Sequence, residues 1–301
     1  MFSKATSRLL TSRFDANLLH GRTRINQIVT KLSNFSSTAA SAPNPSANQN
    51  NIANNEYAPQ FVTFEMAKSV VNMSHLYVDH GLSAKQLENI AKKEDMDTVG
   101  KWQSMMEAFL AAQVHTLAGF GYSPNEAGLQ LYNSQVAQLM QSGTVDGSQQ
   151  EEIRVSGRDL WRSALSKAFD VSLEDINSKA ATLDVPKARD MMHMVSSRMQ
   201  DPKILEMIAQ QTSSAAADAT AGTELNAKHT AVQRILVNEV YLGGDPSVVE
   251  QCGFEAGEKG YVLMQCVMAE HQTDPLIAQY IGGAMMRILQ SAGLDPASLQ
   301  K

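Results

Sequence analysis

Apolar residues recur every three or four positions along most of the chain after residue 60, which is the spacing of an amphipathic α-helix. The segment 123–143 is the clearest example. Its apolar stripe consists of Leu129, Tyr132, Val136 and Met140. The pattern predicts one complete helix in this segment.

The two ends of this segment carry helix start and stop signals. Ser123 can accept a hydrogen bond from a free backbone N–H of the first turn, and Glu126 completes a capping box three residues later. Pro124 falls at the first helical position, where a missing N–H costs nothing. Gly143 can adopt the left-handed conformation that ends a helix. We therefore expect the helix to begin directly after Ser123.

Similar signals recur along the chain. Aspartate–proline pairs begin at Asp201, Asp245, Asp274 and Asp295. An aspartate N-cap followed by a proline at the first helical position ends one helix and starts the next. Ser83 and Gln86 offer a further capping box. These signals predict successive helices joined by short loops.

The overall pattern favours a helical fold without a sheet. No run of alternating β-branched residues is bounded by turns, so strand signals are scarce. We predict an all-α fold, either an irregular multi-helix bundle or a stack of antiparallel helix pairs. Residues 61–301 are assigned to one helical domain, and a subdivision near Asp184 is the alternative.

Two segments resemble each other weakly. Residues 132–142 and 280–291 both begin with tyrosine and end with Gln-Ser. The spacing of the aspartate–proline pairs is irregular, which disfavours a regular repeat array. Chance similarity of two amphipathic helices is the simpler interpretation, and a duplicated helical unit is the alternative.

The first 35 residues have the composition of a mitochondrial presequence, rich in Arg, Ser and Thr and poor in acids. Leu10, Phe14 and Leu18 lie on one helical face. A basic amphipathic helix that stays attached and lies on a membrane is the alternative. Residues 36–60 consist largely of Ser, Ala, Asn, Pro and Gln, which predicts a disordered linker. We expect a protein of the matrix or of the matrix side of the inner membrane.

The charge is divided unevenly along the chain. The net formal charge is −6, yet residues 1–35 carry six basic residues and one acid, so the remainder is strongly acidic. An acidic body disfavours binding to the phosphate backbone of a nucleic acid. No stretch of about 20 apolar residues exists, so no membrane span is expected, although peripheral association stays open.

The densest group of metal-ligand residue types is His75, Asp79 and His80. His75 and Asp79 are four apart and can share a helix face. There is no HExxH, no CxxC pair and no Glu-x-x-His, so these three are weak metal candidates. A surface pair near a helix end is the favoured interpretation. No catalytic residue and no cofactor is assigned.

These observations predict a non-catalytic mitochondrial helical protein. Its expected role is an accessory, scaffold or assembly subunit of a larger complex, such as a respiratory-chain complex or the ATP synthase, with protein partners. Two alternatives stay open. One is an enzyme with a pocket between helices, and the other is a helical adaptor for RNA or the mitochondrial ribosome.

Overall fold

The computed structural model describes residues 58–271 and 274–294 of the chain. Within these ranges it contains twelve α-helices. They are α1 Phe64–His80, α2 Leu82–Ala91, α3 Thr98–Ala118, α4 Glu126–Gln141, α5 Gly147–Phe169, α6 Leu173–Thr182, α7 Val185–Met199, α8 Pro202–Ala217, α9 Glu224–Ile235, α10 Val248–Gln251, α11 Glu258–Met268 and α12 Pro275–Ser291. Helix α9 continues directly into a π-helical segment, Leu236–Tyr241.

The predicted all-α fold is confirmed. Helices account for 77% of the described residues, and that part of the chain contains no strand or sheet. None of its helices combines the length and the hydrophobicity that a bilayer-spanning helix requires. The predicted presequence, residues 1–35, lies outside the described residues, and so does nearly all of the predicted linker.

Contacts between Cα atoms divide the chain into two units. The amino-terminal unit comprises the described residues of 21–93 and 103–168, and the carboxy-terminal unit comprises 94–102 and the described residues from 169 onward. Asp184 lies inside the carboxy-terminal unit, so a subdivision at that residue stays a prediction.

Buried polar and aromatic contacts tie α1, α3 and α5 together in the amino-terminal unit. The Ser74 hydroxyl of α1 donates to the Thr116 hydroxyl of α3 at 3.2 Å. The rings of Phe109 on α3 and Trp161 on α5 meet edge to face at 5.2 Å. The amide of Gln135 on α4 donates to the carbonyl of Pro59, which connects the start of the described chain to the helices.

In the carboxy-terminal unit, α6 packs on α11, α7 on α12, and α8 on α9. An aromatic cluster forms part of its core. The Tyr261 ring lies 5.1 Å from the Tyr241 ring and 6.0 Å from the Trp102 ring, and Trp102 also contacts Phe169. Burial raises the pKa of the Tyr241 and Tyr261 hydroxyls, so both stay protonated at neutral pH.

Two of the predicted aspartate–proline starts are confirmed. Asp201 caps α8 and Asp274 caps α12, each with proline as the first helical residue. Asp274 also accepts a two-pronged pair of hydrogen bonds from Arg189 on α7, at 3.0 Å from Nε and 2.7 Å from the terminal nitrogen. The cap residue of α12 therefore also fixes this helix against α7.

The Asp274–Arg189 pair should make stability depend on pH. The hydrogen bonds from Arg189, aided by backbone N–H groups of α12, lower the pKa of Asp274 to about 2 despite some burial. A lowered folded-state pKa gives stabilisation that is complete above the ordinary value of about 4 and is lost as pH falls toward 2. Urea unfolding across this pH range should show a smaller loss for Asp274→Asn than for the wild type. Arg189→Gln should reduce the loss in the same way, and an unchanged slope in both variants would contradict this assignment.

The predicted start of α4 at Ser123 is wrong. The helix begins at Glu126, and its N-cap is Asn125, whose side chain accepts a hydrogen bond from the Gly128 N–H. The buried Ser123 instead lies against the first turn, where its carbonyl oxygen occupies the space that a Cβ on Gly128 would need. The Asn125 cap and this close approach over five residues thus take the place of the predicted capping box.

Two other predicted starts are also wrong. The Asp245–Pro246 bond is cis, and α10 starts after Ser247, which forms a capping box with Glu250. Helix α2 starts at Leu82, one residue ahead of Ser83, because Gly81 alone separates it from α1. The connection before α2 is therefore shorter than predicted, whereas the one before α10 is longer, because that helix starts two residues after Pro246.

The same helix entrance is built twice, once in each unit. Residues 121–128 and 253–260 share a glycine, a buried aromatic residue, a glutamate and a second glycine at matching positions. Gly121 and Gly253 have φ of 86° and 83°, which a side chain would disfavour. Gly128 and Gly260 each lie against the carbonyl five residues earlier. This match lies at a different register from the tyrosine segments compared in the sequence.

Candidate functional site

Helix α1 places two of the three sequence candidates together near its carboxyl end. His75 and Asp79 lie one turn apart, and the His75 Nδ1 is 3.3 Å from the Asp79 Oδ2. Both side chains are about one-third exposed. The predicted pairing of these two residues on one helix face is therefore present.

Helix α5 supplies two further partners of Asp79. The buried Ser163 hydroxyl donates to the Asp79 Oδ1 at 2.5 Å. The Lys167 Nζ lies 3.9 Å from the same oxygen. Ser163 and Lys167 are four residues apart, so one turn of α5 faces the Asp79 carboxylate.

These contacts determine the protonation state of Asp79. Burial raises the pKa of the carboxyl, but the hydrogen bonds from Ser163 and His75 and the nearby charge of Lys167 outweigh it. The net result is a pKa below the ordinary value. Asp79 is therefore a carboxylate at neutral pH and a weak base.

The order of groups at this cluster differs from that of a serine nucleophile site. In such a site histidine lies between serine and aspartate, and it removes the serine proton. Here Asp79 lies between His75 and Ser163, and both of its oxygens accept hydrogen bonds. A carboxylate of lowered pKa is a poor base for removing the proton of a hydroxyl. The arrangement is suited to holding α1 against α5.

The third candidate, His80, is exposed at the last residue of α1. Within residues 58–271 and 274–294, no three His, Cys, Asp or Glu side chains are grouped so that they could hold a metal ion. The other partners of this pair are the Ser163 hydroxyl and the Lys167 ammonium, and the ammonium repels cations. The geometry of this cluster gives no support to a metal centre.

Sequence reasoning missed Ser163 and Lys167, which lie more than 80 residues after Asp79. One signal was available, since Ser163 follows Leu160 and precedes Leu165 on the buried side of an amphipathic helix. A hydroxyl in a core position requires a hydrogen-bond partner. The pattern does not say which helix provides it.

Removing the Ser163 hydroxyl should test this cluster. We expect Ser163→Ala to lower the free energy of unfolding by about 1.5 kcal/mol, which is the lower end of the range for a hydrogen bond to a charged group. The pKa of Asp79, followed by NMR, should rise because the bond favours the carboxylate. The matched control is Ser69→Ala, which removes an exposed hydroxyl from α1 and should leave both quantities unchanged.

A second feature of α1 is an exposed group of large apolar side chains. Met73 and Leu76, three residues apart on one face, expose 41% and 55% of their surface. Leu82, which opens α2 two residues after α1 ends, exposes 66%. We call these three residues the α1 apolar surface. Met73 and Leu76 lie on the same helix as Asp79, whose contacts hold α1 against α5.

The chain matches no protein-family model, and comparison with curated proteins and with solved structures finds no significant match. The assignment of a function therefore rests on the residues themselves.

Proposed function

We propose that this protein is a non-catalytic helical subunit of mitochondria. In this proposal it is an accessory, scaffold or assembly component of a larger complex, such as a respiratory-chain complex or the ATP synthase. Its place is the matrix or the matrix side of the inner membrane. The basic, acid-poor composition of residues 1–35 supports import.

The observation that carries the proposal is the α1 apolar surface. A single exposed leucine is ordinary in a soluble protein, but several large apolar side chains in one short stretch are typical of a protein-binding surface. The Asp79 cluster, with its bonds to Ser163 and His75, holds the helix that presents Met73 and Leu76. A rigid helix with an apolar face is suited to packing against an apolar surface of another subunit.

Charge and geometry make the two alternatives less favoured. The described part of the carboxy-terminal unit holds ten basic and nineteen acidic residues, and such a surface repels phosphate backbones. The cluster of His, Asp and Ser side chains around Asp79 has an order that differs from that of a serine nucleophile site. Both points support a protein-binding role over RNA binding or catalysis.

Leu76→Glu should release the protein from its partners. A charge on the α1 apolar surface has to be desolvated when another subunit covers it, so we expect at least about tenfold less partner protein to co-purify. The measurement is quantitative mass spectrometry after affinity purification of the tagged full-length chain from mitochondria.

The control is Leu225→Glu, which adds the same charge at a leucine of similar exposure, 50%, in the carboxy-terminal unit. It should retain the wild-type partners, and circular dichroism should show equal helix content in both variants. Partners retained fully by Leu76→Glu would contradict the assignment of this surface.

A further inference from the structure

Helix α12 carries an exposed stripe with coiled-coil spacing. Its members alternate at steps of three and four residues and are Leu276, Gln279, Gly283, Met286 and Gln290. The opposite face of the helix is buried, through Ile277, Ala284 and Ile288. We call the five exposed residues the α12 stripe. Its two large apolar members, Leu276 and Met286, expose 40% and 45% of their surface. The stripe therefore leaves apolar surface uncovered on a helix that is already packed on its other side.

Gly283, at the centre of the stripe, has no structural reason within the described chain. A Cβ built on this residue meets no atom of the described residues within 4 Å. Glycine is among the least favourable residues in a helix interior because it loses the most conformational freedom. At Gly128 and Gly260, by contrast, a nearby carbonyl excludes any side chain. The described chain therefore does not require glycine at 283, just as it does not at Gly157 of α5, and the position leaves open space beside the exposed side of α12.

The stripe is complementary to itself. When two copies of α12 pair antiparallel with the two-fold axis between residues 284 and 285, Met286 of each copy faces Gly283 of the other. The same operation places Gln279 opposite Gln290, where two amides can exchange hydrogen bonds. A methionine of one copy thus faces a glycine of the other, and the two-fold axis repeats the contact. An isologous contact, in which both copies use the same surface, has this symmetry. We propose that the α12 stripe is the contact surface for a second copy of this chain.

Charge favours this helix over the rest of the carboxy-terminal unit as the place for such a contact. The described part of that unit has nine more acidic than basic residues, so its net charge repels a second copy. Within Pro275–Ser291 the single formal charge is Arg287, and no charge lies on the stripe. Two copies can therefore meet along α12 without apposing like charges.

The size of the contact sets the expected strength. Helix α12 has 17 residues, which at 1.5 Å per residue gives a seam of about 25 Å. A single helix pair of that length lies at or below the lower end of stable interfaces, about 1,200 Å². The dimer should accordingly be reversible and depend on protein concentration. It uses a surface different from the α1 apolar surface, so it goes beyond the proposed function and does not depend on it.

Sedimentation equilibrium of the full-length chain tests this proposal. The weight-average mass of the wild type should rise from monomer toward dimer with concentration. Gly283→Leu, which fills the space for Met286 of the other copy, should raise the dimer dissociation constant by at least about tenfold. The matched control is Gly157→Leu, because a Cβ on this helical glycine of α5 also meets no described atom within 4 Å; it should dimerise like the wild type.

A second variant and a salt series complete the experiment. Met286→Ala removes the other half of the contact without adding bulk. If Gly283→Leu loses its helical circular dichroism, the dissociation constant of Met286→Ala tests the contact instead. Higher salt should tighten the dimer, because it screens the repulsion between two acidic copies. A wild type that stays monomeric at all concentrations, or a Gly283→Leu and a Met286→Ala protein that dimerise as well as the wild type, would overturn the proposal.

Discussion

Replacing Gly260 with alanine should lower the free energy of unfolding by about 3 kcal/mol, although the change adds only one methyl group. The Cβ would overlap the carbonyl oxygen of Glu255 and would also lie 3.1 Å from a methyl group of Val249. The first of these atoms belongs to the backbone, so relief requires the loop before α11 to move. Urea unfolding followed by circular dichroism measures the effect.

Gly157→Ala is the matched control for this substitution. Gly157 is also a glycine within a helix, α5, but a Cβ there meets none of the described atoms within 4 Å. Alanine should therefore raise stability by about 0.5–1 kcal/mol, since it is the better helix former. Equal effects at Gly157 and Gly260 would contradict the close approach at α11. The corresponding position of α4, Gly128, should behave like Gly260, because the carbonyl of Ser123 lies against it.

Phe169→Ala should be the most destabilising single truncation in the aromatic cluster, at about 4 kcal/mol. Phe169 ends α5 with 2% of its surface exposed, and its ring lies 5.8 Å from that of Trp102. Truncation leaves a cavity next to Trp102 that the surrounding helices fill only in part. A shift of the Trp102 fluorescence should accompany the loss of stability.

The control uses the same substitution at an exposed position. Phe61 has 69% of its surface exposed, so Phe61→Ala removes little buried area and should change stability by less than about 0.5 kcal/mol. A loss at Phe61 comparable to that at Phe169 would mean that the core of this protein lies elsewhere.

Much of the helical architecture can be predicted from local pattern. Of the predicted stripe of α4, Leu129 and Tyr132 are buried, because a periodicity of 3.6 leaves one apolar face that has to be covered. Val136 and Met140 are only half-buried, and the buried side continues through Gln135 and Leu139 instead. The starts at Asp201 and Asp274 were predictable for a similar reason. The aspartate accepts a hydrogen bond from a free backbone N–H of the first turn and the proline has no N–H to satisfy, so neither needs a distant residue.

The starts at Ser123 and Asp245 could not be predicted in this way. At the first, the decisive contact joins the Ser123 carbonyl to Gly128 across the bend of the chain, and a capping rule takes no account of such an approach. At the second, two capping signals compete within three residues, and the Ser247–Glu250 box, with its reciprocal bonds, is the one that forms. Local rules identify candidates for a helix start but do not rank them.

In the candidate site, too, the contacts within one helix were predictable and the contacts between helices were not. His75 and Asp79 could be paired from their spacing alone, because one helical turn separates them. Ser163 and Lys167 reach Asp79 only through the packing of α5 on α1, which no spacing within the sequence encodes. The exposure of Met73 and Leu76 was likewise inaccessible, since a sequence shows which residues are apolar but not which of them remain uncovered.

The most direct test of the account is the native electrophoretic mobility of the protein in mitochondria, with mass spectrometry following this chain and its neighbours through the gel. The account predicts that the chain enters mitochondria, has lost residues 1–35, and migrates in an assembly much larger than a dimer, together with a constant set of subunits. Migration only as a monomer or dimer, or absence from mitochondria, would contradict the proposal of an accessory subunit.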